Sequence, residues 1–75
     1  MENYKNSAYI KALYKWLEKY NIKNEDISII KIDYKEYSKY EIMIRKNEYI
    51  QQFSGKNDLY KYLKYIIIPY KDYVL

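Results

Sequence analysis

Residues 27–53 read Ile-Ser-Ile-Ile-Lys-Ile-Asp-Tyr-Lys-Glu-Tyr-Ser-Lys-Tyr-Glu-Ile-Met-Ile-Arg-Lys-Asn-Glu-Tyr-Ile-Gln-Gln-Phe, and the alternation along them decides the fold. Side chains of a half-buried strand repeat every second residue. In 27–34, Ile30, Ile32 and Tyr34 alternate with Lys31 and Asp33. In 39–46, Tyr40, Ile42 and Ile44 alternate with Glu41, Met43 and Arg45. The polar stretch 35–38 connects these two strands. Lys46-Asn47 suits a tight turn, since Asn tolerates positive φ, and 48–53 supplies a third short strand.

Helical periodicity flanks this block. Over residues 4–20, Tyr9, Ile10, Leu13, Tyr14, Trp16, Leu17 and Tyr20 share an arc of roughly 160° at the helical repeat. Lys11, Lys15 and Lys19 fall on the opposite side. Asn6 or Ser7 suits the N-cap, and Asn21 the left-handed residue that ends the helix. Ser54-Gly55-Lys56-Asn57 holds the sole glycine of the chain. Asn57 is placed to cap a second helix, with Asp58 favourable to its dipole. Leu59, Leu63, Ile66 and Ile67 mark its buried side and Pro69 its end. Tyr-Ile-Ile-Ile at 65–68 is also readable as a strand. Tyr70, Tyr73, Val74 and Leu75 are apolar enough to dock.

The expected architecture is a single α+β domain spanning 1–75. Its order is α-β-β-β-α, a two-layer sandwich in which two helices cover one face of a three-stranded antiparallel sheet. The other face then carries Ile29, Lys31, Asp33, Glu41, Met43, Arg45 and Gln52. Those charges read as cross-strand pairs on a solvated surface. Ile29 and Met43 offer a small apolar centre with a polar rim, as interfaces do.

Composition restricts the chemistry. A chain of 75 residues buries only about 60–65% of its unfolded surface, so large side chains must fill the core. Thirteen tyrosines, one Trp and one Phe are the large side chains on offer. Cysteine and histidine are both missing. That excludes disulfides, thiolate metal sites, Ser–His–Asp and Cys–His triads, and the usual zinc sites. The carboxylates Asp33, Glu36, Glu41 and Glu48 are scattered rather than convergent, so neither metal nor cofactor is expected. Ser54-Gly55-Lys56 lacks the upstream glycine of a phosphate-binding loop and reads as a turn before a helix. Met1-Glu2-Asn3-Tyr4-Lys5 is unlike a signal peptide, and the Ile66–Ile68 run is too short to span a bilayer. The expectation is therefore a cytoplasmic protein without membrane association. The abundance of Lys, Ile, Asn and Tyr fits an A/T-rich genome, such as that of a low-GC bacterium, an archaeon, or a virus or plasmid of one.

Three features are candidates for function. The net charge is +4, and every basic residue but Arg45 is lysine, which disfavours bidentate base reading. The stripe Lys11, Lys15 and Lys19 suits phosphate tracking or docking of an acidic face; a solvated helix face explains it as well, and Glu18 lies beside it. Tyr37, Tyr60, Tyr62, Tyr65, Tyr70 and Tyr73 exceed what so small a core can hold. Exposed tyrosine favours protein contacts and also stacks on unpaired bases, although codon bias explains the surplus equally. Lys61-Tyr62 and Lys64-Tyr65 interleave cation and ring as a single-strand binder does.

The order α-β-β-β-α over about this length resembles the double-stranded-RNA-binding domain, in topology and not in motif. That family puts basic residues at the start of its second helix. Here the stretch is Lys56-Asn57-Asp58-Leu59-Tyr60-Lys61, with an acid where a base is wanted. HicA-type toxin nucleases share the topology but use a histidine that this chain lacks. Some small phage-encoded anti-CRISPR proteins also join a three-stranded sheet to flanking helices. The reading favoured is a small non-enzymatic protein-binding effector, of the kind a virus or mobile element uses to inhibit a host defence or regulatory protein. The alternative is a nucleic-acid-binding module using lysine and tyrosine. The candidate contact residues are Lys11, Lys15, Lys19, Tyr37, Met43, Arg45, Lys61, Tyr62, Lys64 and Tyr65. The partner is expected to be a host or cognate protein, with nucleic acid as the alternative. The state is monomer or homodimer, with lysines and short strands read as edge protection.

Overall fold

A computed structural model of the chain describes residues 3–5, by their backbone, and residues 8–75. Its elements are β1 (Asn3–Lys5), α1 (Ala8–Glu18), β2 (Ile27–Asp33), β3 (Ser38–Ile44), β4 (Tyr49–Phe53), α2 (Lys56–Tyr62), a π-helical segment (Leu63–Ile67) and α3 (Lys71–Val74). The expected α-β-β-β-α order and the three-stranded antiparallel meander of β2, β3 and β4 are present. A short strand that the sequence reading missed, β1, extends the sheet beyond β2. The helical reading of 4–20 is thus too long at its start. The proposed caps Asn6 and Ser7 lie outside the described residues.

Packing follows from the apolar spacing. Ile10, Leu13 and Leu17 of α1, with Leu59, Leu63 and Ile67 of the C-terminal helix, are buried against Ile27, Ile29, Tyr40, Ile42 and Ile44 of the sheet. Both helices therefore cover one face, and no polar or charged side chain is buried among the described residues. At about 25 cal/mol per Å² of apolar area, this cluster is the main stabilising term. Tyr9, Tyr14 and Trp16 pack at its margin.

Helix α1 stops as its sequence implies. Asn21 adopts φ 63°. Ile22 N–H bonds to the Leu17 carbonyl at 3.1 Å, and Asn21 N–H to that of Glu18 at 3.0 Å. These are the two bonds of a Schellman motif, and Ile22 packs in the core beside Leu17, the contact that accompanies it.

Several local expectations are corrected. Strand β2 has the opposite phase to that read from Ile30, Ile32 and Tyr34. The register pairs Ile27 with Ile44, Ile29 with Ile42 and Lys31 with Tyr40. Directly paired residues share a face, so Ile29, Lys31 and Asp33 stand on the helix side. Ile30 and Ile32 stand on the outer side with Glu41 and Met43; Ile32 is nonetheless buried, as read from the sequence, though outside the main cluster. Lys31 and Asp33 are tolerated because they form an ion pair at 3.4 Å toward one end of the sheet. In the β3–β4 turn the positive φ falls on Glu48 (56°). Asn47 instead accepts the Tyr49 N–H through its side-chain oxygen at 3.2 Å. Helix α2 is capped by Gly55 without a side-chain bond, so Asn57 is a helical residue and no cap. Asp58 does sit in the first turn.

Residues 65–68 are helical and not a strand. The segment widens to π geometry, with Ile68 N–H bonded to the Leu63 carbonyl at 2.9 Å. Widening keeps Leu63 and Ile67 in the core and turns Ile66 out, 41% exposed. It also loosens the turn just before Pro69, which has no N–H to give and crowds a regular α-turn. The tail docks through Val74 and Leu75, while Tyr70 and Tyr73 stay exposed.

Candidate functional site

Two surfaces gather the candidate residues. The first is an aromatic row across the two helices. Trp16 stacks on Tyr60 with ring centroids 5.2 Å apart and planes at 22°. Tyr20 meets the other side of this unit edge-on to Trp16, at 6.0 Å. One turn along from Tyr60, the Lys64 ammonium stands 5.7 Å from the Tyr60 ring centre and 5.4 Å from that of Tyr65. Spacing explains the row: residues four apart share a helix side, which aligns Trp16 with Tyr20 and Tyr60 with Lys64. Tyr20, Tyr60 and Tyr65 are exposed and Trp16 is half-buried. Tyr9 borders this area, with Lys56 5.2 Å from its ring centre. Burial, followed by the nearby Tyr40 and Tyr60, raises the Tyr9 phenol above its ordinary value.

The second surface is an open groove of about 1010 Å³ between α1 and the edge of β2. Among the described residues, strand β1 pairs with Lys31, Ile32 and Asp33 alone, and α1 lies along the edge at Ile27–Ile30. There the Tyr14 hydroxyl accepts the Ile29 N–H at 2.7 Å and donates to the Ile29 carbonyl at 3.2 Å. One side chain thus satisfies both polar groups of an edge residue. Lys11, Lys15, Lys23 and Arg45 line the groove, with Glu18 and Glu25. Arg45 is held by a bond from Nε to the Asn24 carbonyl, 2.9 Å. Among the described residues, none of these four cations has a carboxylate within ion-pair distance.

The structure therefore joins Lys11, Lys15 and Arg45 in one place and Lys64 and Tyr65 in another. Lys19 lies beyond the last turn of α1 and outside the groove lining. Tyr37 stacks on Tyr34 at 4.8 Å in the β2–β3 connection. Met43 is on the outer sheet face, where the register sets it beside Ile50 and not beside Ile29. Tyr62 packs on Phe53 at 5.1 Å; burial first, then Tyr49, raises its phenol. Lys61 is exposed on α2. Sequence reasoning missed Trp16, Tyr20 and Tyr60 as a unit, since only tertiary packing brings α1 and α2 together. It also treated Tyr14 as plain core.

Among the described residues, no group of three or more acidic, His or Cys side chains is placed to hold a metal ion, and no helix is long and apolar enough to cross a membrane. Comparison with known proteins identifies no family: no family model, curated protein or solved structure matches the chain.

Proposed function

We propose that the chain is a small non-enzymatic effector that binds another protein, in the cytoplasm, through the aromatic row on its helices. The observation that carries this reading is the contiguous set Tyr20, Trp16, Tyr60, Lys64 and Tyr65. Clustered Trp and Tyr with hydroxyls and edges exposed are the side chains that dominate protein-binding hot spots. Base stacking needs open ring faces. Here Trp16 and Tyr60 cover one face of each other, and the Lys64 ammonium stands near the rings of Tyr60 and Tyr65, which leaves less open ring face for a base. The finer reading, an inhibitor of a host defence or regulatory protein carried by a virus or mobile element, rests on A/T-biased composition and the surplus of exposed tyrosine.

A nucleic-acid-binding module is the second reading, and the specific observation in its favour is the groove with Lys11, Lys15, Lys23 and Arg45. Salt separates the two. Phosphate binding weakens steeply as salt rises, and an aromatic protein contact does not. The test is capture on the tagged protein from lysate, with and without nuclease. A stoichiometric protein that survives nuclease and is lost with Tyr60→Ala supports the effector. Nucleic acid recovered in its place, lost with Lys11→Glu and Lys15→Glu, sinks it.

A further inference from the structure

The two edges of the sheet are treated differently. At one edge β1 covers Lys31–Asp33, and the Tyr14 hydroxyl occupies the backbone of Ile29. The other edge is β4, Tyr49-Ile50-Gln51-Gln52-Phe53, where no third element pairs among the described residues. Proteins guard such an edge with charge, proline or a bulge. Strand β4 has none of these: its five residues are uncharged in a chain that is 32% charged, and its register with β3 is unbroken. Of the two guards read from the sequence, lysines and short strands, β4 keeps only its shortness, five residues, and has no lysine.

The polar backbone groups presented there follow from the register. Ile29 points its N–H and carbonyl away from β3, toward Tyr14. Alternation along antiparallel strands then aims Ser28, Ile30 and Ile32 at β3, and Tyr40, Ile42 and Ile44 at β4. Their partners Phe53, Gln51 and Tyr49 face inward. The outward groups are those of Ile50 and Gln52. Ile50 is also 53% exposed and Tyr49 48%, and Ile50 lies beside Met43 on a sheet face that neither helix covers.

We propose that β4 is a self-association edge, on which a second copy of this chain pairs antiparallel to form one continuous eight-stranded sheet. A two-fold axis at Gln51 sets Ile50 of each copy against Gln52 of the other. All four outward N–H and carbonyl groups of each strand are then bonded, and Tyr49 of one copy meets Phe53 of the other on the helix side. A second copy suits this edge on charge grounds. The chain carries a net +4, so contacts between copies through charged faces carry a repulsive term, whereas an uncharged strand meets its own image without adding to it. This pairing is independent of the aromatic row on the helices.

Sedimentation velocity from low-micromolar to near-millimolar protein tests it. The expected result is a mass rising from 9.4 kDa toward twice that, reversibly. Ile50→Lys, and separately Gln52→Pro, which removes one outward N–H and leaves the Gln51–Ile42 pairing alone, should each return the protein to monomer with an unchanged circular dichroism spectrum. Hydrogen exchange on the unmodified chain gives a reading that needs no variant. The Ile50 and Gln52 amides should gain protection of tenfold or more on concentration, while the rest of the exposed backbone does not. A monomer at every concentration overturns the proposal. So does a dimer that persists in both variants, or unchanged exchange at Ile50 and Gln52 where the mass has doubled.

Discussion

Tyr14 shows how one side chain replaces a strand. Its hydroxyl both accepts from and donates to Ile29, which a phenyl ring cannot do. Tyr14→Phe leaves an N–H and a carbonyl facing an open groove where water partly replaces the lost bonds. The expected loss is about 1 kcal/mol rather than the larger penalty of a sealed site, read from chemical denaturation. Hydrogen exchange at the Ile29 amide should accelerate in the same variant. Two other residues carry backbone strain of opposite legibility. Asn21 at φ 63° was visible in the sequence, because Asn after an amphipathic run is a helix-stop signal. Asn21→Ala should cost about 1 kcal/mol, since a β-carbon without a local polar group is disfavoured there. Glu48 at φ 56° was not visible, because Asn47 next to it is the usual occupant of such a position. Glu48→Gly should stabilise the hairpin by up to about 1 kcal/mol, seen as a rise of several degrees in Tm. An unchanged Tm would mean that the turn does not hold this conformation in solution.

At the scale of elements, the sequence made type and order plain but not phase. Strand β2 contains isoleucine at 27, 29, 30 and 32, so both possible alternations look half-apolar. Choosing the phase by Lys31 and Asp33 picks the wrong one. What decides is the partner strand: Ile42 and Ile44 must meet apolar residues, and the register offers Ile29 and Ile27. Strand β1 was hidden for a related reason. Three residues carry too little pattern to outweigh the helical periodicity that follows them. The C-terminal helix posed a subtler problem, because an α-helical wheel lets both Ile66 and Ile67 reach the core with Leu59 and Leu63. The π segment admits only Ile67, which is fully buried. Ile67→Ala should therefore cost about 2–5 kcal/mol, a large share of the stability of so small a domain. Ile66→Ala should cost about 1 kcal/mol or less, as befits a partly exposed side chain. Equal losses in urea denaturation would mean that the helix stays α and the widening is not populated.

Across the whole molecule, the surplus of tyrosine resolves into separate jobs: Tyr40 fills the core, Tyr14 closes an edge, and Tyr20, Tyr60 and Tyr65 are left on the surface. The candidate site was legible only as an excess of rings and lysines, because helix-to-helix packing is what assembles Trp16 with Tyr60. Packing of two further tyrosines makes stability sensitive to alkali. Burial raises the phenols of Tyr9, beside the aromatic row, and Tyr62, against β4. Folding thus favours the protonated form of both. Above the ordinary phenol value of 10.0 the folded state binds more protons than the unfolded one, so stability must fall as pH rises. The contribution is present in full below that value and is lost as pH climbs through the raised folded values; neutral to mildly alkaline pH leaves it intact. Substitution isolates the contribution of the two tyrosines. Tyr9→Phe and Tyr62→Phe keep the rings and remove the titrating hydroxyls. Denaturation of the double variant should stay within about 1 kcal/mol of the parent at neutral pH, the Tyr9 hydroxyl giving up one exposed 3.4 Å bond to the Lys56 carbonyl, and should lose less stability above about pH 10. An identical alkaline loss in both proteins would show that neither phenol is held away from water in the folded chain.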